Sequence, residues 1–194
     1  MIDTLLSGVL SKVGDSGIEK IASAAGVDST IAKTLLSQAG PLIAAKMADN
    51  AKTEEGLASL DTALADHDGS VFDKIDDVVS PDVDTKGSSI LGHIFGGNVG
   101  NVVSALSTGS GADESSTSKL LEMAAPLVLG QLGATKSSEG LDASGIFGLL
   151  QNEKQAATES SDSGLMNLAK NFLDQDNDGS VVDDLIGMAG KFLG

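Results

Sequence analysis

The chain carries one apolar pattern twice, and that repetition limits its architecture more than any other feature. Leu35-Leu36 followed by Pro41-Leu42-Ile43 is matched by Leu120-Leu121 followed by Pro126-Leu127-Val128, an offset of 85 residues (126 − 41). Gly26-Val-Asp28 meets Gly111-Ala-Asp113 at the same offset, and Glu55-Gly56-Leu57 meets Glu139-Gly140-Leu141 one residue out of phase. A long unit present twice describes two related halves, in contrast to the many short units of a solenoid.

The spacing inside each half is helical. Ile2, Leu5, Leu6, Val9, Leu10 and Val13 predict an opening helix ended by Gly14. A second, capped by Asp15 or Ser16, carries Ile18, Ile21, Ala22 and Ala25 inward and stops at Gly26. Asp28 or Ser29 caps a third, with Ile31, Leu35, Leu36 and Ala39 on its apolar face. Gly40-Pro41 predicts a kink or restart before Leu42, Ile43 and Met47, because proline lacks the donor and crowds the preceding turn.

Leu57, Leu60 and Leu64 predict another short helix, and an Asp66 loop leads into Val71, Ile75, Val78 and Val79. The aperiodic stretch 80–86 reads as a linker between a first helical repeat, 1–79, and a second, 87–194. Glu153 to Asp162 is polar and reads as a hinge or exposed loop. Leu165, Met166, Ala169, Phe172 and Leu173, and then Val181, Val182, Leu185, Ile186, Ala189, Phe192 and Leu193, predict a closing helix-loop-helix. The fold expected is all-α and multihelical. With 41% hydrophobic residues but only five aromatics, all Phe, and 24 glycines, its core is aliphatic and its helices pack closely.

Charge narrows the partners. The net charge of −16 arises from 28 acidic residues against 12 basic ones, every one of them Lys. Nucleic-acid binding relies on clustered cations that displace counterions, and planar phosphate recognition favours guanidinium forks, so this composition argues against nucleic acid and against anionic membrane surfaces. The absence of cysteine removes disulfides, thiolate metal sites and a thiol nucleophile, and fits a reducing compartment. The N-terminus lacks the basic region of a signal peptide, and no run of about 18 apolar residues offers a span. A cytoplasmic, soluble protein is the expectation.

Three segments carry a resemblance. They are Gly87-Ser-Ser-Ile-Leu-Gly-His-Ile-Phe-Gly-Gly97, Leu120-Leu-Glu-Met-Ala-Ala-Pro-Leu-Val-Leu-Gly130 and Phe172-Leu-Asp-Gln-Asp-Asn-Asp-Gly-Ser-Val-Val-Asp-Asp-Leu-Ile-Gly187. Taken in order they resemble the YidB-like bacterial proteins, a family of unknown function, over most of 87–194, with the first half as a degenerate copy. The resemblance implies a multihelical, internally repeated bacterial protein and lends it no activity.

Chemistry is legible chiefly in the acidic loop from Asp174 to Asp184. As an EF-hand-like loop it places Asp174, Asp176 and Asp178 at positions 1, 3 and 5, Gly179 at the sharp turn and the Ser180 carbonyl at 7. These are hard oxygen ligands suited to calcium, a better match than magnesium, which keeps its waters. Position 12 holds Leu185 in place of the bidentate Glu, and Asp183 and Asp184, at 10 and 11, supply the remaining oxygen only if the exiting helix begins early. The competing reading is a helix cap. Asp66-His-Asp-Gly-Ser-Val-Phe-Asp73 shares Asp-x-Asp-Gly-Ser-Val-x-Asp with the second copy, in which Ser180 or Ser70 caps and Asp183 or Asp73 stands three residues on. Leu64 occupies position 1 of that first copy, so a metal is expected only at the second.

Other signals are weaker. Gly92, Gly96 and Gly100 stand four apart and predict close internal packing, with Gly96-Gly97 equally a helix stop; Gly187, Gly190 and Gly194 form a looser version. His67 and His93 have no nucleophile motif beside them. The expected protein is therefore a non-catalytic helical interaction or structural protein, possessing a protein partner or self-associating, and calcium-responsive at its C-terminus. The alternatives are a membrane-associating protein that uses its Gly-spaced helices and an enzyme with a dispersed carboxylate site.

Overall fold

The computed structural model describes residues 4–80 and 83–159, and the protein is all-α, with no strand among the described residues. The helices are α1 (Thr4–Ala25), α2 (Ser29–Asn50), α3 (Glu54–Ala65), α4 (Ile75–Val78), α5 (Val83–Phe95), α6 (Val99–Ser110), α7 (Glu114–Glu139) and α8 (Ala143–Glu159). A 3₁₀ turn at Ser70–Lys74 leads into α4, and another at Gly96–Asn98 joins α5 to α6.

Glycine ends or breaks the helices largely where the pattern predicts. Gly14 divides α1 into two arms at φ 65°, ψ 173°, backbone that only glycine adopts without strain. Asp15, expected as a cap, instead accepts from the Lys33 ammonium at 2.9 Å and joins α1 to α2. Gly26 and Gly111 both stand in the left-handed region, two residues before Asp28 and Asp113. Asp28 caps α2 by accepting from the Thr30 and Ile31 amides, and Asp113 caps α7 by accepting from Ser116. α2 and α7 thus open with the same local device.

Proline interrupts neither of them. α2 runs through Pro41 and α7 through Pro126, where a kink or restart was expected at the first. Burial explains the difference: residues 42–45 are buried beyond Pro41, and residues 123–133 of α7 are buried without a gap. A helix enclosed on every side is held by its neighbours and tolerates the missing bond.

Around α7 and α2 the other helices form one core, which contains Leu5, Ile21, Leu35, Ile43, Leu91, Leu106, Leu127 and Ile146. α1 packs on both α2 and α7, and α5 packs mainly on α7. α3 leaves α2 to lie on α7, tied there by Lys136 to Asp61 at 2.5 Å. α8 does the reverse, lying on α2 with Lys154 against Asp49 at 2.6 Å.

Close approach falls at other glycines than Gly92, Gly96 and Gly100. A Cβ on Gly87 of α5 would collide with the Glu122 carbonyl of α7. That carbonyl stands four residues before Pro126, which has no N–H to give it. The missing donor and the missing side chain meet at the crossing. At Gly92, Gly96 and Gly100 a Cβ would meet nothing within 4 Å, so the internal packing expected of them is absent. Leu91, Ile94 and Phe95 take the buried side of α5 and turn Gly92 outward. Gly96, with φ 58°, is the helix stop.

α5 also begins at Val83, inside the stretch that reads as a linker. The expected C-terminal helix-loop-helix lies outside the described residues, as do Gly187, Gly190 and Gly194.

Candidate functional site

Asp174, Asp176, Asp178, Ser180, Asp183 and Asp184, the expected calcium ligands, lie outside the described residues. Their echo lies within them. α3 ends at Ala65, and His67 turns back so that its Nδ1 stands 2.7 Å from the Ala63 carbonyl oxygen. Asp68 accepts from the Ser70 amide at 2.9 Å, and Gly69 adopts φ 96° to start the 3₁₀ turn. Ser70 therefore receives a cap from the Asp68 side chain and does not provide one, contrary to the capping-box reading; the N-cap position itself is Gly69, which has no side chain to offer. The Asp68 carboxyl sits below the usual carboxylate range, first because of the Ser70 amide and next because of the Ser70 hydroxyl.

The turn is pressed onto α7. A Cβ on Gly133 would strike the His67 carbonyl oxygen, and one on Gly130 would lie 2.5 Å from a Val71 methyl. Asp66, Asp68 and Asp73 are exposed, and no group of three His, Cys, Asp or Glu among the described residues is placed to hold a metal ion. The arrangement docks a turn.

Charged side chains inside the fold escaped the sequence pattern. Glu153 is buried and accepts from the Leu5 amide at 3.3 Å, one of the orphan donors at the start of α1. The stretch from Glu153 onward, read as a hinge, is helical to Glu159. Spacing held a signal for this: Ile146, Leu150 and Glu153 form one i, i+4, i+7 stripe, whose third member is a carboxylate.

One residue on, Lys154 reaches Asp49, which also accepts from Lys52 at 2.7 Å. Burial pushes the Asp49 carboxyl up, but the Lys154 and Lys52 ammoniums outweigh it and hold the group below its ordinary value. Burial lowers Lys154, with Asp49 opposing. Lys20 meets Asp76 at 2.5 Å, joining α1 to α4, and Lys12 lies 4.9 Å from the centroid of the Phe72 ring. His93 is exposed on α5.

A family of bacterial proteins of unknown function, DUF937, matches residues 7–136. The chain belongs to the DUF937 family. The match takes in most of α1, all of α2 to α6 and nearly all of α7, so the half that reads as degenerate lies within DUF937 from residue 7 onward. α8 and the acidic loop lie beyond the matched span. No curated protein and no solved structure matches the chain. No helix among the described residues is long and apolar enough to cross a membrane.

Proposed function

We propose that this DUF937 protein is a non-catalytic helical interaction or structural protein that self-associates and responds to calcium through its C-terminal acidic loop. The observation that carries the reading is how the paired charges are used. Asp49 with Lys154, Asp61 with Lys136, Lys20 with Asp76 and Asp15 with Lys33 each tie one helix to another. Polar chemistry here serves assembly of the helices. The finer relationship is to YidB-like proteins, with the halves as copies of one unit: α2 and α7 each open with a left-handed glycine and an Asp cap.

The calcium part rests on Asp174, Asp176 and Asp178 at alternating positions before Gly179. A cytoplasmic setting fits a chain without cysteine. Native mass of the full chain with and without calcium tests the reading, alongside titration calorimetry on the wild type and on Asp174→Ala with Asp178→Ala. Expected are a mass above that of one chain and heat only in the wild type. A single-chain mass at every concentration overturns self-association, and absence of heat below millimolar calcium leaves the loop as a cap.

A further inference from the structure

We infer that α8 is an exchangeable arm, and that a second copy of this chain is its alternative partner through the same contacts it makes at home. The inference deepens the self-association part of the reading above and does not involve calcium.

Tether and dock belong to different parts of the chain. α8 follows α7 after only three residues, Gly140, Leu141 and Asp142. It then leaves α7 and packs across α2 and α3. The stripe Ile146, Leu150 and Glu153 is buried there. Its two polar anchors, Glu153 on the Leu5 amide and Lys154 on Asp49, lie 148 and 105 residues away in sequence. The surface that receives α8 thus belongs to the first half, while its covalent link belongs to the second. An α8 from another copy meets the same groups at the same distances, and only the hinge has to change.

The hinge is built to change. Gly140 caps α7 in the left-handed conformation, φ 63°, ψ 34°, and its amide donates to Lys136. It is exposed, and a Cβ there would meet nothing within 4 Å. Rotating this one residue into the right-handed region continues α7 toward α8 and carries the arm away from its own α2. Short hinges of this kind favour exchange between protomers.

Gly140→Ala is the sharpest test, because alanine is strained in the left-handed conformation and favoured in a continuous helix. Light scattering on the full chain should show the dimer-to-monomer ratio rising about tenfold or more, one such strain at each hinge being worth about that factor. Gly140→Asn, which tolerates the left-handed conformation, should leave it near the wild-type value.

A mixing experiment identifies the mode. Asp49→Lys and Lys154→Asp chains, differently tagged, each lose the ion pair when alone. Refolded together, an exchanged pair brings the two reversed charges into contact at one dock and the two native charges at the other. Expected is a heterodimer with wild-type melting. A Gly140→Ala chain that stays monomeric overturns the inference. So does a wild-type dimer in which the mixed variants show no rescue, an outcome that leaves self-association standing through another surface.

Discussion

The α-carbon of Gly87 lies against the backbone carbonyl of Glu122, the one carbonyl of that turn to which Pro126 brings no donor. A helix that gives up an internal hydrogen bond at a crossing gains room there for a neighbour's bare backbone. Carbon-bound hydrogens near carbonyl oxygens contribute weakly at such crossings.

Gly87→Ala should therefore destabilise the fold by about 1–3 kcal/mol, the usual cost of overpacking a close contact. Gly92→Ala, five residues along α5 at a position with open space around it, should stabilise by about 0.5–1 kcal/mol. Urea unfolding followed by circular dichroism separates the two. Equal effects would mean that the crossing adapts freely.

Removing Asp49 should cost about 3 kcal/mol, because the Lys154 ammonium stays in a largely buried place without its partner, whereas removing Lys154 should cost less, since Asp49 keeps Lys52. Replacing both, by Asp49→Leu with Lys154→Met, should recover most of that loss. A double-mutant cycle in urea measures the coupling.

The same pair predicts a pH dependence. The Asp49 carboxyl is held below its unfolded value of 3.8, so its stabilisation is present above that value. It is lost as the pH falls through the lower, folded pKa. Asp49→Asn should be less stable than the wild type at neutral pH, and the gap should close below pH 3.8, as read from urea midpoints across the acid range.

Glu153→Leu strips the Leu5 amide of its buried acceptor and should cost about 1–3 kcal/mol, with Glu153→Gln costing less. Hydrogen exchange at the first turn of α1 should accelerate in the Leu variant. Unchanged protection there would dissociate Glu153 from the cap.

In the Asp66 turn, Asp68→Ala should lower the urea midpoint without altering the heat of calcium titration, and Gly133→Ala should destabilise by about 1–3 kcal/mol. A lost calcium signal in Asp68→Ala would move the metal into the first half.

Much of this architecture was legible because helix ends obey local rules. Gly14, Gly26 and Asp28 act as their types and positions indicate. Pro41 broke the local rule because its penalty is a few kcal/mol, and burial on both sides of it is worth more. The spacing of Gly92, Gly96 and Gly100 points to packing, but spacing alone is blind to which side of a helix meets the core. Gly87, Gly130 and Gly133 do the close contact, and their spacing carries no distinguishing mark.

Glu153 illustrates the other limit. A carboxylate on an apolar stripe shows in the pattern, but its partner is a backbone amide 148 residues away, which no local window contains. The Asp66 turn was half legible: its residues fit a cap, and only the fold shows that Asp68 holds the turn in place of Ser70.

The crossed placement of α3 and α8 also sets the order in which this protein can be completed during synthesis. The surface of α2 that receives Ile146 and Leu150 is made more than 90 residues before them (143 − 50), and α1 begins with a donor whose acceptor, Glu153, is translated near the end of the described chain. A nascent first half therefore presents an uncovered aliphatic face for several seconds at ordinary elongation rates of about 5–20 residues per second. For this chain the interval before α8 emerges is when a chaperone has most to shield and two neighbouring nascent chains have most to share.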